Sequence, residues 1–507
     1  MRIPGLFAPC LGALLLSAGC VSRPPEKAPD PTPAQWHVPL PHGGAVVLMA
    51  EWWKRLDDPL LVDLISAAQA ESPDIASAAA RISEASADRV AAGAAMIPNL
   101  NGNLSAQRGN ALMQASPGQT LTPMTMLQAG LASSWEIDLF GGLAASRDAA
   151  QAQLEGAQAR WHAARVSVAA ETANTYFDER ACQGQLQVQA SDTRSRNETA
   201  RLTDLAANAG FQAPADAARA RATAADGNSR LVQQRTQCAL YRKALVALTG
   251  LDAATLDARL DAAPLVPPPL GEIAVGPLPA QTLAQRPDVF AAERAVAAAS
   301  ASAGAAQARR LPRLTLQGNI GITQFRVSGF QQSLDTWTIG PLALDIPIFD
   351  AGTRAANAEA ARARYDESVA QYRSTVRQAV REVESALLSL QSSQDRHTDA
   401  QVAVDNSQRS FAATQARFDS GLASLFELED ARRQLFVAQT TLVGLQRERA
   451  EAFVTLYRAM GGGWQRPGSD GAPTVGAVPA ASSSPSSAPA TVSTAAAPAA
   501  TTATTRP

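Results

Sequence analysis

Strict alternation of apolar and polar residues marks four short stretches of the chain. The first stretch places Leu100, Leu104 and Ala106 on one side, with asparagine, serine and glutamine on the other. The remaining three run over residues 127–139, 314–323 and 342–348. A period of two residues predicts β-strands, each with one apolar and one polar face.

Helical sequence fills the spaces between these strands. A first helix is expected from about Asp74 to Met96, because a residue that precedes a proline, here Pro98, avoids the helical region. Two much longer helices are expected over residues 143–207 and 353–419, neither of which contains a proline. At 1.5 Å per residue, each of these helices would span about 100 Å.

Landmarks recur at a nearly constant spacing, which indicates an internal duplication. Gly210 and Gly421 are expected to reverse the chain, since glycine tolerates the backbone conformation of a sharp turn. The returning helices would then end at Gly250 and Gly461, where glycine suits a helix C-cap. Other matched pairs are Pro73 with Pro287, Pro98 with Pro312, and Phe140 with Phe349.

The start of the chain has the features of a secretion signal. Arg2 supplies a positive charge, residues 11–16 are apolar, and small residues precede Cys20. This pattern resembles a bacterial lipoprotein signal, in which Cys20 becomes the acylated first residue. An ordinary signal peptide cleaved nearby is the alternative. By the same resemblance, Val21 after the cysteine favours sorting to the outer membrane.

Composition shifts then divide the rest of the chain. The last stretch is almost entirely Ala, Pro, Ser, Thr and Gly, and we expect it to be disordered because it cannot bury enough apolar surface. The predicted organisation is a signal peptide (1–19), an acylated N terminus with a Pro-rich tether (20–49), a first repeat (50–263), a Pro-rich linker (264–279), a second repeat (280–465) and a tail (466–507).

The strands favour a membrane barrel that several chains share. Alternation indicates either a soluble sheet with one buried face or strands with lipid outside and water inside. One chain supplies four strands, and a membrane barrel needs about eight or more to close. Three chains would supply twelve. Aromatic residues expected at the strand ends support the membrane interpretation over two soluble hairpins packed on helices; these are Trp135, Phe140, Trp337 and Phe349.

Charge and motif content exclude other functions. Lysine plus arginine number 44 and aspartate plus glutamate 46, so the chain lacks the basic footprint of a nucleic-acid-binding protein. Four histidines and four cysteines leave little material for a metal site. Zinc-protease, phosphate-loop and serine-hydrolase motifs do not occur in the sequence. We therefore expect neither an enzyme nor a cofactor.

Two cysteines are placed symmetrically about the first reversal. Cys182 and Cys238 each lie 28 residues from Gly210. On antiparallel helices they would lie at the same height and could form a disulfide in an oxidising compartment. Two buried thiols are the alternative.

Together these residues give a chain that resembles the outer membrane efflux proteins, the TolC-like channels, and specifically their lipoprotein branch of NodT and OprM type. The resemblance covers about residues 50–465. The residues that carry it are Trp52-Trp53 with Asp58-Pro59-Leu60, Arg286-Pro287-Asp288-Val289 with Ala292-Glu293, Arg310 to Leu314, and Ala459 to Trp464.

The resemblance implies a mainly α fold with a transmembrane β-barrel contribution. A homotrimer would form a 12-stranded barrel in the outer membrane and a periplasmic α-barrel of long hairpins. The implied function is the passive exit duct of a tripartite efflux system. Its partners would be a periplasmic adaptor, an inner-membrane pump of the resistance-nodulation-division type, and outer membrane lipids. Metal-efflux and type I protein-secretion channels share this architecture, and a structural periplasmic coiled-coil lipoprotein is a further alternative.

The resemblance also assigns roles at the two reversals. Arg417, Gly421 and Ser424 correspond to the family's adaptor-contacting turn, and Gly210 occupies the turn of the first half. The first half departs from the pattern, because Ala206 and Ala207 stand where the second half has Arg417 and Phe418. Equal adaptor contact by the two turns is therefore in doubt.

An acidic aperture is implied slightly further along. Glu427 and Asp430 lie where the family places acidic rings, and threefold symmetry would gather six carboxylates around one axis. An exposed acidic helix face is the alternative. The tyrosine that locks the family's gate is here Phe418, and the matching arginine is Ala423. Gating would then depend on hydrophobic packing by Phe418 or on the carboxylates.

Overall fold

A computed structural model of the protein describes residues 23–33, 35–37, 53–54, 58–110, 123–263, 279–327 and 330–466. The signal peptide, Cys20, linker residues 264–278 and the tail from 467 onward lie outside the described residues. The helices are α1 (Pro59–Glu71), α2 (Pro73–Ala94), α3 (Gly142–Asn208), α4 (Pro214–Thr249), α5 (Ala253–Ala262), α6 (Pro279–Leu283), α7 (Pro287–Ala308), α8 (Thr353–Asp419) and α9 (Leu425–Ala459). The strands are β1 (Asn99–Asn110), β2 (Pro123–Ile137), β3 (Arg313–Val327) and β4 (Phe330–Asp345).

Side-chain caps start the first two helices. Oδ1 of Asp58 accepts the Leu61 N–H at 3.1 Å, and Oγ of Ser72 accepts the Ile75 N–H at 3.4 Å. A proline follows each cap at a position where no helical N–H is needed. Each cap stabilises its helix by about 1 kcal/mol. These caps explain why α1 and α2 begin at the Asp-Pro and Ser-Pro steps.

Two helices of 67 residues dominate the molecule. At 1.5 Å per residue, α3 and α8 are each about 100 Å long, which confirms the predicted lengths. We call α3 with α4 hairpin 1, and α8 with α9 hairpin 2. None of the described helices combines the length and the apolar character needed to cross a membrane.

The four strands form one antiparallel sheet in the order β1-β2-β3-β4. Strand β1 pairs with β2 in a register that places Leu104 opposite Ala129, and β2 pairs with β3 with Leu131 opposite Ile320. The sheet therefore joins the two repeats through β2 and β3. The predicted fold class, mainly helical and duplicated with four strands per chain, is confirmed.

The last strand differs from the sequence prediction. Strand β4 ends at Asp345, so Ile346 and Ile348 follow it instead of belonging to it. Trp337 lies in mid-strand opposite Ile320, and its predicted position at a strand end is wrong. Polar residues occupy both faces in the first half of β4. The alternation of apolar and polar residues that predicts a strand was therefore visible in the sequence only towards the end of β4. Pairing with β3 determines where the strand begins.

The main hydrophobic core lies where helices from both repeats converge. Arg180 and Glu179 form a buried ion pair beside it, and Nη1 of Arg180 donates to the Leu260 carbonyl at 2.9 Å. Trp53 meets Tyr457 edge to face at a centroid distance of 5.9 Å. Burying each large side chain stabilises the fold by roughly 1.5–3 kcal/mol. Core members include Leu61, Leu64, Tyr176, Phe177, Leu245, Leu256, Val383 and Val454.

Candidate functional site

The turn of hairpin 2, residues 420–424, is called tip 2. The Leu422 N–H donates to the Arg417 carbonyl at 2.7 Å, and the Gly421 N–H donates to the Phe418 carbonyl at 3.0 Å. This Schellman pattern needs a left-handed residue, which Gly421 supplies with φ 72°. Nη2 of Arg417 also donates to the Leu422 carbonyl at 3.1 Å. The guanidinium of Arg417 thus folds back over the turn.

A reciprocal capping box opens α9. The Ser424 N–H donates to Oε2 of Glu427 at 2.7 Å, and the Glu427 N–H donates to Oγ of Ser424 at 3.2 Å. Two backbone donors of the first turn are satisfied in this way. Both predicted site residues therefore also act locally to end the turn. The Ser-x-x-Glu spacing was a readable signal for this role, and the sequence analysis missed it.

The two carboxylates assigned to the aperture have different surroundings. Hydrogen bonds from the Ser424 N–H and hydroxyl, with a smaller contribution from the charge of Arg417, hold the pKa of Glu427 below its usual range. Glu427 is exposed and ionised at neutral pH. Asp430 forms an ion pair with Arg433 and accepts a hydrogen bond from Gln434 at 2.7 Å. The charge of Asp430 is therefore largely compensated within this chain.

Phe418 is half-buried and faces the other hairpin. It packs against a small cluster formed by Ala200 of α3, Ala220 and Ala224 of α4, and Leu425 of α9. Its side chain therefore holds the two hairpins together near their tips. An opening movement that separated the hairpins would expose this contact.

Tip 1, residues 209–213, repeats the backbone of tip 2. The Phe211 N–H donates to the Ala206 carbonyl at 2.8 Å, and Gly210 has φ 82°. The residue after each glycine is apolar and exposed: Phe211 is 86% exposed and Leu422 is 71% exposed. In a Schellman motif this position usually packs against the preceding turn. The sequence analysis missed both residues, although their place directly after the glycine could have indicated them.

Ion pairs join α3 to α9 along the height of the hairpins. Nε of Arg447 lies 2.7 Å from Oδ1 of Asp178 and 2.8 Å from Oε1 of Glu451. Burial is the main cause that raises the pKa of Asp178; Arg447 opposes it, the neighbouring Glu451 adds to it, and the resulting pKa is about 6. One guanidinium thus serves two carboxylates that lie close together.

A second ion cluster crosses the same helix pair nearer the tips. Arg196 lies 2.7 Å from Asp192 and 3.4 Å from Glu429 of α9. Buried Arg432 of α9 pairs with Glu429 and donates to Oγ1 of Thr199 at 2.8 Å. These contacts fix α9 against α3.

A disulfide links the two helices of hairpin 1. Sγ of Cys182 and Sγ of Cys238 are 2.10 Å apart, and their Cα atoms are 5.5 Å apart. Both residues are buried. The positions equivalent to them in hairpin 2 are Ser393 and Arg449, so hairpin 2 has no corresponding bond.

The described part of the N-terminal segment, residues 23–33 and 35–37, docks along the helices. Nη1 of Arg23 lies 3.4 Å from Oδ2 of Asp148, and the Pro24 carbonyl accepts a hydrogen bond from Ser300. Asp148 lies in the second turn of α3, the helix that follows strand β2, and Ser300 lies in the second half of α7, the helix that precedes strand β3. Arg23 is therefore held at the end of the helices that is nearest the sheet. Further on, the His37 N–H donates to Oε1 of Glu384 at 2.8 Å.

Comparison with known proteins identifies the family. The chain matches the family described as "Outer membrane efflux protein" over residues 64–251 and 278–462, and it belongs to that family. It is 31% identical to the pyoverdine export outer membrane protein OpmQ of Pseudomonas putida, over 90% of this chain and 97% of the relative. It is 29% identical to the solvent efflux pump outer membrane protein SrpC of Pseudomonas putida, over 89% and 97%.

A solved structure shows the same architecture. The outer-membrane channel OprN superposes with a TM-score of 0.78 and 28% identity, covering 88% of this chain and all of that chain. The family and the efflux function predicted from the sequence are confirmed: this chain is an outer membrane efflux protein. Membership of an efflux family agrees with the prediction that the chain is not an enzyme.

Proposed function

We propose that the protein is the passive exit duct of a tripartite efflux system, assembled as a homotrimer and anchored by lipid at Cys20. The observation that carries the proposal is the open sheet. Its outer strands β1 and β4 each have one edge without a partner strand among the described residues. In lipid, unpaired backbone groups are costly, so such a sheet must close.

The two faces of the sheet support a barrel wall. Leu104, Leu131, Ile320, Trp337 and Ile339 lie on one face, and all are exposed, Leu104 and Ile339 by 85% each. Asparagine, glutamine, serine and threonine residues line the other face. A soluble scaffold would leave the apolar face in water at considerable cost. Lipid outside and an aqueous lumen inside account for both faces.

Strand number then requires more than one subunit. Four strands per chain fall short of the about eight that the smallest membrane barrels contain. Three chains supply twelve strands if β4 of each subunit pairs with β1 of the next. Each subunit would also bring two hairpins to a helical tunnel about 100 Å long.

The docking of the N-terminal segment supports lipid anchoring. Cys20 precedes Arg23 by three residues, a reach of about 10 Å in extended chain. Since Arg23 is held at the sheet end of the helices, an acyl chain on Cys20 would meet the same membrane that the sheet enters. Metabolic labelling with palmitate tests this arrangement: wild-type protein should incorporate label, and Cys20→Ser should not.

The hairpin tips are proposed to receive a periplasmic adaptor. Arg417, Gly421 and Ser424 at tip 2 and Gly210 at tip 1 are the proposed contacts, and a pump of the resistance-nodulation-division type would deliver substrate from the inner membrane. The exposed Phe211 and Leu422 support this role, because apolar residues at a polar surface mark contact sites.

The constriction near tip 2 is proposed to select for cations. Exposed, ionised Glu427 supports an acidic ring, to which the more compensated Asp430 would contribute less. Packing by Phe418 between the hairpins is the proposed hydrophobic part of the gate.

Purification in detergent followed by reconstitution tests the function. Native mass spectrometry should give three chains, and planar bilayers should show conductance without any energy source. A monomer that stays in solution without detergent after removal of residues 1–20, and that does not conduct, would overturn the proposal.

A further inference from the structure

The apolar face of the sheet, which carries Leu131 and Ile320, ends in arginines. In the row of paired residues near the end farthest from the helices, Arg108 of β1 lies opposite Thr125 of β2, and Thr125 lies opposite Arg326 of β3. Successive side chains of a strand point to opposite faces. Thr125 and Arg326 each lie an even number of residues from the apolar pair on their own strand, so the whole row belongs to the apolar face.

The two arginines are close enough to act together. Neighbouring strands are about 4.8 Å apart, so the backbones of Arg108 and Arg326, with β2 between them, are separated by about 10 Å. Both side chains are exposed. Long side chains at this spacing can converge on one group that lies over Thr125, whose hydroxyl supplies a further hydrogen-bond donor.

The positive charge of this pair is not offset nearby. Neither Arg108 nor Arg326 forms an ion pair in the portion of the chain that the structure describes. The sequences that join the strands beside them, residues 111–122 and 328–329, contain no aspartate or glutamate. The described strands place one acidic residue on this face, Asp335, opposite Ile322. That position is four residues from Arg326, or about 13 Å along the strand.

The remaining arginine of the strands shows the contrast. Arg313 lies at the opposite end of β3, near the helices, and belongs to the polar face. Its Nη2 lies 3.6 Å from Oε2 of Glu136 on the neighbouring strand. The sheet therefore compensates an arginine at its helical end and leaves two arginines uncompensated at its far end.

The length of the apolar face places the arginine row at a membrane boundary. On β2 this face extends from Trp135, near the helices, to Thr125, a distance of ten residues. Ten residues span about 33 Å along a strand, which is about 25 Å in height at the tilt usual for membrane barrels. The apolar band of such barrels has the same height, about 25 Å. Arg108 and Arg326 would then lie where hydrocarbon gives way to headgroups, a depth at which arginine is tolerated.

Resting on the membrane channel proposed above, we propose that Arg108 and Arg326 bind a phosphate group on the headgroup of an outer-leaflet lipid. The helices leave the sheet at its other end and extend into the periplasm, so the arginine row meets the outer leaflet. The planar guanidinium group matches phosphate oxygens with paired hydrogen bonds. The acyl chains of the same lipid would cover the apolar face below the row. A homotrimer would repeat the site three times around the barrel.

Native mass spectrometry of the full-length, detergent-solubilised trimer tests the site. The probe is diphosphoryl lipid A, and the matched ligand is the same lipid without its phosphates. The wild type should bind the phosphorylated lipid about tenfold more tightly, the effect of one charge-assisted contact. Inorganic phosphate at the same concentration should not displace it, because the acyl chains also contribute to binding. Displacement by inorganic phosphate would show that the site does not recognise a lipid.

Three variants assign the preference to the arginine row. Arg108→Gln with Arg326→Gln should abolish the preference for the phosphorylated lipid. Arg108→Lys with Arg326→Lys should retain part of it, because lysine keeps the charge and loses the paired geometry. The matched control is Arg313→Gln, which removes an arginine from the other end of the sheet and should keep the full preference. Conductance in planar bilayers verifies that each variant forms a folded channel.

The outcomes separate this site from the proposed function. A conducting wild-type trimer that binds both lipids equally would overturn the phosphate site and leave the proposed function intact. A preference that survives in Arg108→Gln with Arg326→Gln would likewise overturn the assignment to these residues. A wild-type protein that forms neither a trimer nor a conducting channel would overturn both proposals.

Discussion

Hairpins 1 and 2 share their length and their glycine turns, and they differ in how their halves are held together. Hairpin 1 has a disulfide between its helices, a tip without arginine, and an α4 whose N-cap residue, Ala213, provides no side-chain cap. Hairpin 2 has no disulfide, an arginine folded over its tip, and a capping box. The comparison teaches that one backbone plan can be stabilised in two ways: a covalent bond joins the helices of hairpin 1, and polar contacts at the turn stabilise hairpin 2.

Loss of the disulfide should have the largest effect. The bond closes a loop with a sequence separation of 56 residues, and replacing both cysteines by serine should lower the free energy of unfolding by about 4 kcal/mol. Urea unfolding followed by circular dichroism measures the loss. A reducing agent should reproduce the effect in the wild type and have none on the double variant. Equal stability of the wild type and the double serine variant would show that the disulfide does not stabilise hairpin 1.

Asp178 should make the contact between α3 and α9 sensitive to pH. Its pKa is about 6 in the folded chain, above the ordinary value near 3.8, so the ionised form weakens the folded state. Stability should therefore rise as pH falls from 7 towards 4, by on the order of 2 kcal/mol at this site. Asp178→Asn should flatten the profile of urea midpoints over this range. A variant profile that parallels the wild type would contradict the assignment.

The glycines test whether the tips are equivalent in backbone and different in function. Gly210→Ala and Gly421→Ala each place a side chain at positive φ with open space around it, so each should cost about 1–2 kcal/mol. Because the two variants should lose the same stability, a difference in efflux between them would report on adaptor contact. If tip 2 has the larger share of that contact, Gly421→Ala should reduce efflux in cells more than Gly210→Ala does. Equal efflux defects would show that the two tips contribute alike.

The smallest effect is expected at the helix caps. Ser424→Ala should destabilise hairpin 2 by about 1 kcal/mol, because the first turn of α9 loses an acceptor. The matched change is Ala213→Ser at the corresponding position of hairpin 1, which should stabilise that hairpin by a similar amount. Hydrogen exchange of the first-turn amides measures both changes. Unchanged exchange in Ser424→Ala would show that Glu427 alone holds the turn.

Local rules explain what the sequence by itself determined. Alternation revealed the strands, the absence of proline revealed the two long helices, and Gly210 and Gly421 marked the reversals. Each of these features depends on the conformational preferences of residues that are close in sequence. Each therefore appears in the sequence as a periodic pattern of apolar residues or as a residue that ends a helix. The duplication was visible for the same reason, since landmarks recur at a fixed spacing.

Only the tertiary structure decided the contacts that cross between distant segments. The extent of β4 depended on pairing with β3. Phe418 packs near Ala200 and Arg432 donates to Thr199, and both partners lie some 200 residues away in the chain. The docking of Arg23 beside Asp148 likewise leaves no pattern in the sequence. Such contacts depend on how the helices pack against each other in space. That packing produces no periodic pattern in the sequence, so the contacts could not be predicted from it.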